Sequence, residues 1–94
     1  MWRTVLDKML AKLVVTGRLG VTWPDGRITA YGPGGDLEAE VRLTDESIVR
    51  ELGQRPVLAL GEGYMDGRIE VAPEQLYPFM ALLIRNQQSG AMPK

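Results

Sequence analysis

The stretch Leu37-Glu38-Ala39-Glu40-Val41-Arg42-Leu43-Thr44-Asp45-Glu46 changes its period partway along. From Leu37 to Leu43 apolar and charged residues alternate, so an extended chain presents one apolar face and one wet face, as in an antiparallel sheet covered on one side. At Thr44 the alternation stops. Thr44 is placed to cap a helix, and Asp45 and Glu46 fall in its first turn, where carboxylates suit the positive end of the helix macrodipole. Gly53 after Leu52 ends that helix. A half-buried strand feeding directly into a short helix sets the expectation of an α+β domain.

The flanks extend the pattern in both directions. Upstream, Trp2, Val5, Leu6, Met9, Leu10, Leu13 and Val14 recur at i, i+3, i+4 and i+7, with Arg3, Asp7, Lys8, Ala11 and Lys12 elsewhere on the wheel. This spacing predicts an amphipathic helix ended by Gly17. RLGVTW and RITAYG are two strand-like runs joined by Pro24-Asp25-Gly26, and they read as a hairpin. Downstream, Pro56 opens a segment, PVLALGEGYMDG, that fits a third helix with proline at its first position, or alternatively a buried strand; helix is favoured. Arg68 to Ala72 reads as a fourth strand. Pro73-Glu74-Gln75 starts a last helix through about Asn86, with Leu76, Phe79, Met80, Leu83 and Ile84 facing inward. The expected order is α-β-β-β-α-α-β-α: a small antiparallel sheet, its first three strands a meander, covered on one face by helices. Residues 1–86 make one domain, and 87–94 read as a linker-like tail.

Composition removes several chemistries. The chain has 94 residues, a formal net charge of −1, no cysteine and no histidine. Disulfides, Cys or His metal sites, thiol nucleophiles and His-based acid/base catalysis are therefore excluded. No run reaches the ~18 apolar residues that span a bilayer, and the N-terminus has no signal-peptide core, which points to the cytoplasm. A basic first helix followed by an acidic middle does not make the continuous positive face that a nucleic acid requires.

The glycines of LALGEGYMDGRIEV, Leu58 to Val71, invite comparison with a nucleotide loop. Their spacing is G-x-G-x-x-x-G, the preceding segment starts with proline, and no strand-helix-strand unit surrounds them, so helix packing or turning is the better reading. Glu62 and Asp66 would share a helix face but lack a third convergent ligand. Tyr64, between two glycines, could lie flat on a ligand or serve as a core aromatic. Trp2, Arg3, Lys8 and Lys12 could rest on anionic headgroups, although a helix that only covers a sheet has the same apolar stripe.

Taken together, the Gly17-to-Arg27 hairpin, Gly61-Glu62-x-Tyr64-Met65-x-Gly67 and the helix ending Leu83-Ile84-Arg85-Asn86 resemble the N-terminal domain of the cyclopropane-fatty-acyl-phospholipid synthase family. The resemblance runs from the first helix to Asn86. It departs from the family at Gly63, where alanine is usual, and at Ile69, often an aromatic. The resemblance implies a sterol carrier protein-like fold and a non-catalytic, lipid-associated module. It also implies a partner methyltransferase domain, absent from this sequence, which would bind S-adenosylmethionine and act on acyl chains of membrane phospholipid. This chain itself would hold no cofactor. It would be either a first domain cut from a longer protein or a free-standing relative, cytoplasmic or peripheral at the inner membrane face. The residues expected to meet lipid or a neighbouring domain are Leu58, Leu60, Tyr64, Met65, Phe79, Met80 and Leu83. The competing reading is an interdomain or homodimer module with a filled core and no lipid contact.

Overall fold

The computed structural model describes residues 2–88. Its elements are α1 (Trp2–Leu13), β1 (Gly17–Thr22), β2 (Ile28–Gly34), β3 (Glu38–Leu43), α2 (Glu46–Gln54), α3 (Pro56–Met65), β4 (Ile69–Glu70) and α4 (Pro73–Gln88). The α+β class and the order α-β-β-β-α-α-β-α are as the residue pattern predicts.

Strand arrangement departs from the expected meander. The sheet order is β2-β1-β3-β4, with β1 antiparallel to β2 but parallel to β3, so the sheet is mixed. Two features of the chain explain this. Pro33 within β2 has no N–H to donate, which suits an edge strand and not the centre of a meander. Gly34 and Gly35, at φ 92° and 130°, let the chain turn sharply past the start of β1. The Arg18 N–H then donates to Leu37 O at 2.9 Å, and β3 runs alongside β1. β4 closes the other edge through Leu43 opposite Ile69 and Arg42 opposite Glu70.

The alternation in β3 is realised residue by residue. Ala39, Val41 and Leu43 are buried, while Glu38, Glu40 and Arg42 are exposed. The helix after it starts one residue later than expected. Asp45 is its N-cap, its Oδ1 accepting the Ile48 N–H at 3.1 Å, and the Thr44 hydroxyl instead donates to Arg68 O at 3.1 Å. Pro56 stands at the first turn of α3, a place where a missing N–H costs nothing.

α4 is rotated from its expected phase. Phe79, Leu82 and Asn86 are its buried positions, whereas Met80 and Ile84 are about half exposed. The helix also runs through Gln87 and Gln88, past the expected domain boundary. The rest of the expected tail, 89–94, lies outside the described residues.

Three polar ties hold the helices to the sheet. Arg68 donates to both carboxylate oxygens of Glu51, at 2.5 and 3.2 Å, and from Nε to Asp66 at 2.9 Å, fixing α2 against the turn before β4. Arg3 lies 4.7 Å above the Trp23 ring and donates to Asp25 at 2.9 Å, while the Tyr31 hydroxyl donates to Asp7 at 2.6 Å; together these seat α1 on the β1–β2 hairpin. Asn86 joins α4 to the α1–β1 link through hydrogen bonds to Val15 and Thr16.

Candidate functional site: an apolar cavity over the sheet

The four helices do not close over the sheet. α1 packs on α2 and α2 on α3, while α4 rests on β3 and β1, and a cavity of about 290 Å³ remains between them. Its floor is Leu19 and Val21 of β1 with Val41 and Leu43 of β3. Leu6, Met9, Leu10 and Leu13 of α1 form one wall. Opposite stand Leu52, Pro56, Val57 and Leu60, and α4 supplies Phe79, Met80, Leu83 and Ile84. Because every one of these strands and helices contributes to one space, all four helices cover the same face of the sheet.

The gap follows from the composition of α3. Its buried residues are the two smallest available, Ala59 and Gly63, one turn apart. A β carbon on Gly63 would come within 2.5 Å of Ile48 Cδ1 and 2.9 Å of Ile69 Cδ1, so the glycine lets α3 lie close on α2 and β4. Drawn toward that side, α3 leaves room toward α4. The rim is partly open: Val57 is 58% exposed and Ile84 50%.

Among the described residues, no polar one lines the cavity. A space so bounded offers a ligand dispersion and burial but no hydrogen bond, which suits a hydrocarbon and does not suit a sugar, a nucleotide or a metal. Asp7, Glu51 and Arg68, next to lining residues, are engaged in the ties described above. The Arg68 guanidinium holds the Glu51 carboxyl below its ordinary range, and burial, followed by the hydrogen bond to Asp7, pushes the Tyr31 hydroxyl well above its own.

The expected contact residues divide. Leu60, Phe79, Met80 and Leu83 come together on the cavity. Leu58, Tyr64 and Met65 do not; they lie on the outer surface of α3, 51%, 44% and 86% exposed. Of the residues assigned to a membrane surface, Lys8 and Lys12 are exposed. Trp2 is half-buried against Gly53, and Arg3 is held by Trp23 and Asp25. Of the carboxylate pair, Glu62 lies on α3 and Asp66, the C-cap after it, is bonded to Arg68.

Residue patterns had not marked Met9, Leu13, Val57 and Ile84 as site residues. The first two belong to the apolar stripe of α1.

A family profile described as Domain of unknown function (DUF7884) matches residues 5–92. The chain belongs to the DUF7884 family. The match takes in α1 from residue 5 and every later element, and all the cavity's lining residues lie within it. Neither the curated proteins nor the solved structures compared with the chain give a match.

Proposed function

We propose that this domain is a non-catalytic, lipid-associated module that shelters part of an acyl chain. In this reading it is the N-terminal module of a cyclopropane-fatty-acyl-phospholipid synthase-like methyltransferase and helps the catalytic domain engage phospholipid at the inner membrane face. S-adenosylmethionine belongs to that catalytic domain and not to this chain. The observation that carries the reading is the cavity of about 290 Å³, whose lining among the described residues is apolar. Each methylene transferred into it from water gains about 0.8 kcal/mol. The sequence resemblance supports the same conclusion independently.

No described helix is long and apolar enough to cross a membrane, so contact with a bilayer would be peripheral. Isothermal titration of the protein with oleoyl lysophosphatidylglycerol, held below its critical micelle concentration, tests the reading. Saturable binding is expected; its absence, with the fold intact by circular dichroism, removes the lipid role.

One observation favours a second reading. Leu58, Tyr64 and Met65 form an exposed apolar surface on α3, and such a surface suits a partner domain or a second copy of this chain. Sedimentation of the wild type and of Met65→Glu separates the two. A dimer dispersed by the substitution, without lipid binding, would favour the interface.

A further inference from the structure

Two apolar stripes meet at the mouth of the cavity, one on α3 and one on α4. On α3, Val57, Leu58, Gly61, Tyr64 and Met65 stand at i, i+1, i+4, i+7 and i+8, within about 120° of the helix circumference. All five are exposed, and the buried pair Ala59 and Gly63 faces the opposite way. On α4, Tyr77, Met80 and Ile84 stand at i, i+3 and i+7, within about 60°. Tyr77 is 80% exposed.

Three of these residues belong to the surface and to the cavity at once. Val57, Met80 and Ile84 line the space and are each about half exposed, so the apolar lining continues outward onto both helices. The charged residues of the two helices, Glu62, Glu74 and Arg85, fall outside both stripes, and Arg85 is bound to Asp36.

The position of the mouth decides what fits this face, on the reading that the cavity shelters an acyl chain. A folded partner seated across both stripes would stopper the mouth, whereas a bilayer would leave it facing hydrocarbon. A chain that reached the cavity through water would be disfavoured about fourfold for every methylene wetted. Tyr64 and Tyr77 suit the same surroundings, because tyrosine joins an apolar body to a polar tip and is enriched where hydrocarbon meets headgroups.

We infer that the exposed face shared by α3 and α4 is the membrane-docking surface of the domain. It seats on a lipid bilayer by apolar insertion, without requiring anionic headgroups, and turns the cavity mouth toward the hydrocarbon. The basic face of α1 takes no part in this contact.

Flotation with phosphatidylcholine vesicles, with and without phosphatidylglycerol, tests this beside calorimetry with monomeric decanoate. The wild type is expected to float with both kinds of vesicle. Leu58→Glu, Met65→Glu and Tyr77→Glu together, none at a cavity-lining position, should weaken vesicle binding at least about tenfold and leave decanoate binding unchanged. Lys8→Glu with Lys12→Glu should leave flotation unchanged. All five positions are exposed, and circular dichroism checks the fold. A wild type that binds decanoate but floats with neither vesicle, a triple variant that floats as the wild type does, or flotation that needs phosphatidylglycerol and is lost with the two lysines overturns this inference and leaves acyl binding standing. A dimer dispersed by the triple substitution, with no flotation of the wild type, overturns it in favour of a second copy of the chain. Failure of the wild type to bind decanoate removes both.

Discussion

Asn86 and Thr16 exchange hydrogen bonds in both directions across 70 residues: Asn86 Oδ1 accepts the Thr16 N–H at 3.2 Å, and its Nδ2 donates to Thr16 O at 3.2 Å. The same Oδ1 also accepts the Val15 N–H at 2.9 Å. One side chain, 1% exposed, thereby satisfies the backbone of the α1–β1 link and ties it to the end of α4. Asn86→Ala would take this partner from the part-buried Thr16 N–H and carbonyl, at about 1–3 kcal/mol for each, while the Val15 N–H keeps Leu13 O at 3.1 Å. Urea denaturation should show a loss of about 3 kcal/mol or more, and a loss below about 1 kcal/mol would mean that this tie is not structural.

Gly63 occupies a site where tertiary packing opposes helix propensity. Alanine would favour the helix by about 1 kcal/mol, but its methyl would press on Ile48 and Ile69, 0% and 2% exposed, and overpacking costs about 1–3 kcal/mol. Gly63→Ala is expected to lower stability by a net ~1 kcal/mol. Because Ile69 lines the cavity, the substitution should also weaken chain binding. A stabilised variant with unchanged binding would show that α3 does not approach this closely.

Filling the cavity should separate stability from binding. In a packed core, Leu83→Phe would cost about 1–3 kcal/mol. Here Leu83 borders open apolar space, so the larger ring should cost less than about 1 kcal/mol and displace the ligand. Thermal melts with a decanoate titration measure both effects. A destabilised protein that still binds decanoate as the wild type does would contradict the cavity's role.

The pH dependence of stability has two edges. The carboxyls of Asp25, Asp36, Asp45 and Glu51 are held below their ordinary values, chiefly by hydrogen bonds to the Arg27 backbone, Arg85, Ser47 and Arg68 respectively. Their contribution is present above the unfolded carboxyl range and is lost as pH falls through the depressed folded values. Tyr31 is raised, so its contribution is complete below the unfolded tyrosine value of 10.0 and declines as pH rises past it. With no histidine in the chain, urea midpoints should stay level from about pH 6 to 9. They should fall below about pH 4 and above about pH 10. Tyr31→Phe should remove the alkaline fall, and persistence of that fall would assign it to another group.

The sequence makes most of the element order legible because period and punctuation agree there. The alternation of Leu37 to Leu43, the carboxylates at Asp45 and Glu46, and Pro56 each mark a boundary. Alternation alone cannot choose between parallel and antiparallel partners, since both bury every second residue, and only Pro33 and the Gly34-Gly35 pair hint that β2 is an edge strand. On α3 the usual rule that large apolar residues face inward is reversed. Ala59 and Gly63 pack closely, which leaves Leu58 and Met65 outside. Hence Leu60, Phe79, Met80 and Leu83 are legible as residues that meet at one apolar space, while the outward turn of Tyr64 and Met65 is not. Asn86 drew notice as the end of a helix, but its buried bonds to Val15 and Thr16 depend on contacts between distant parts of the chain.

The central claim, that an acyl chain lies inside the cavity, is tested most directly by paramagnetic relaxation from a nitroxide-labelled fatty acid on methyl-labelled protein. The account predicts stronger broadening of the Leu60, Met80 and Leu83 methyls, which line the cavity, than of the Met65 methyl on the outer face of α3. Broadening of Met65 with the cavity methyls unmoved would contradict it.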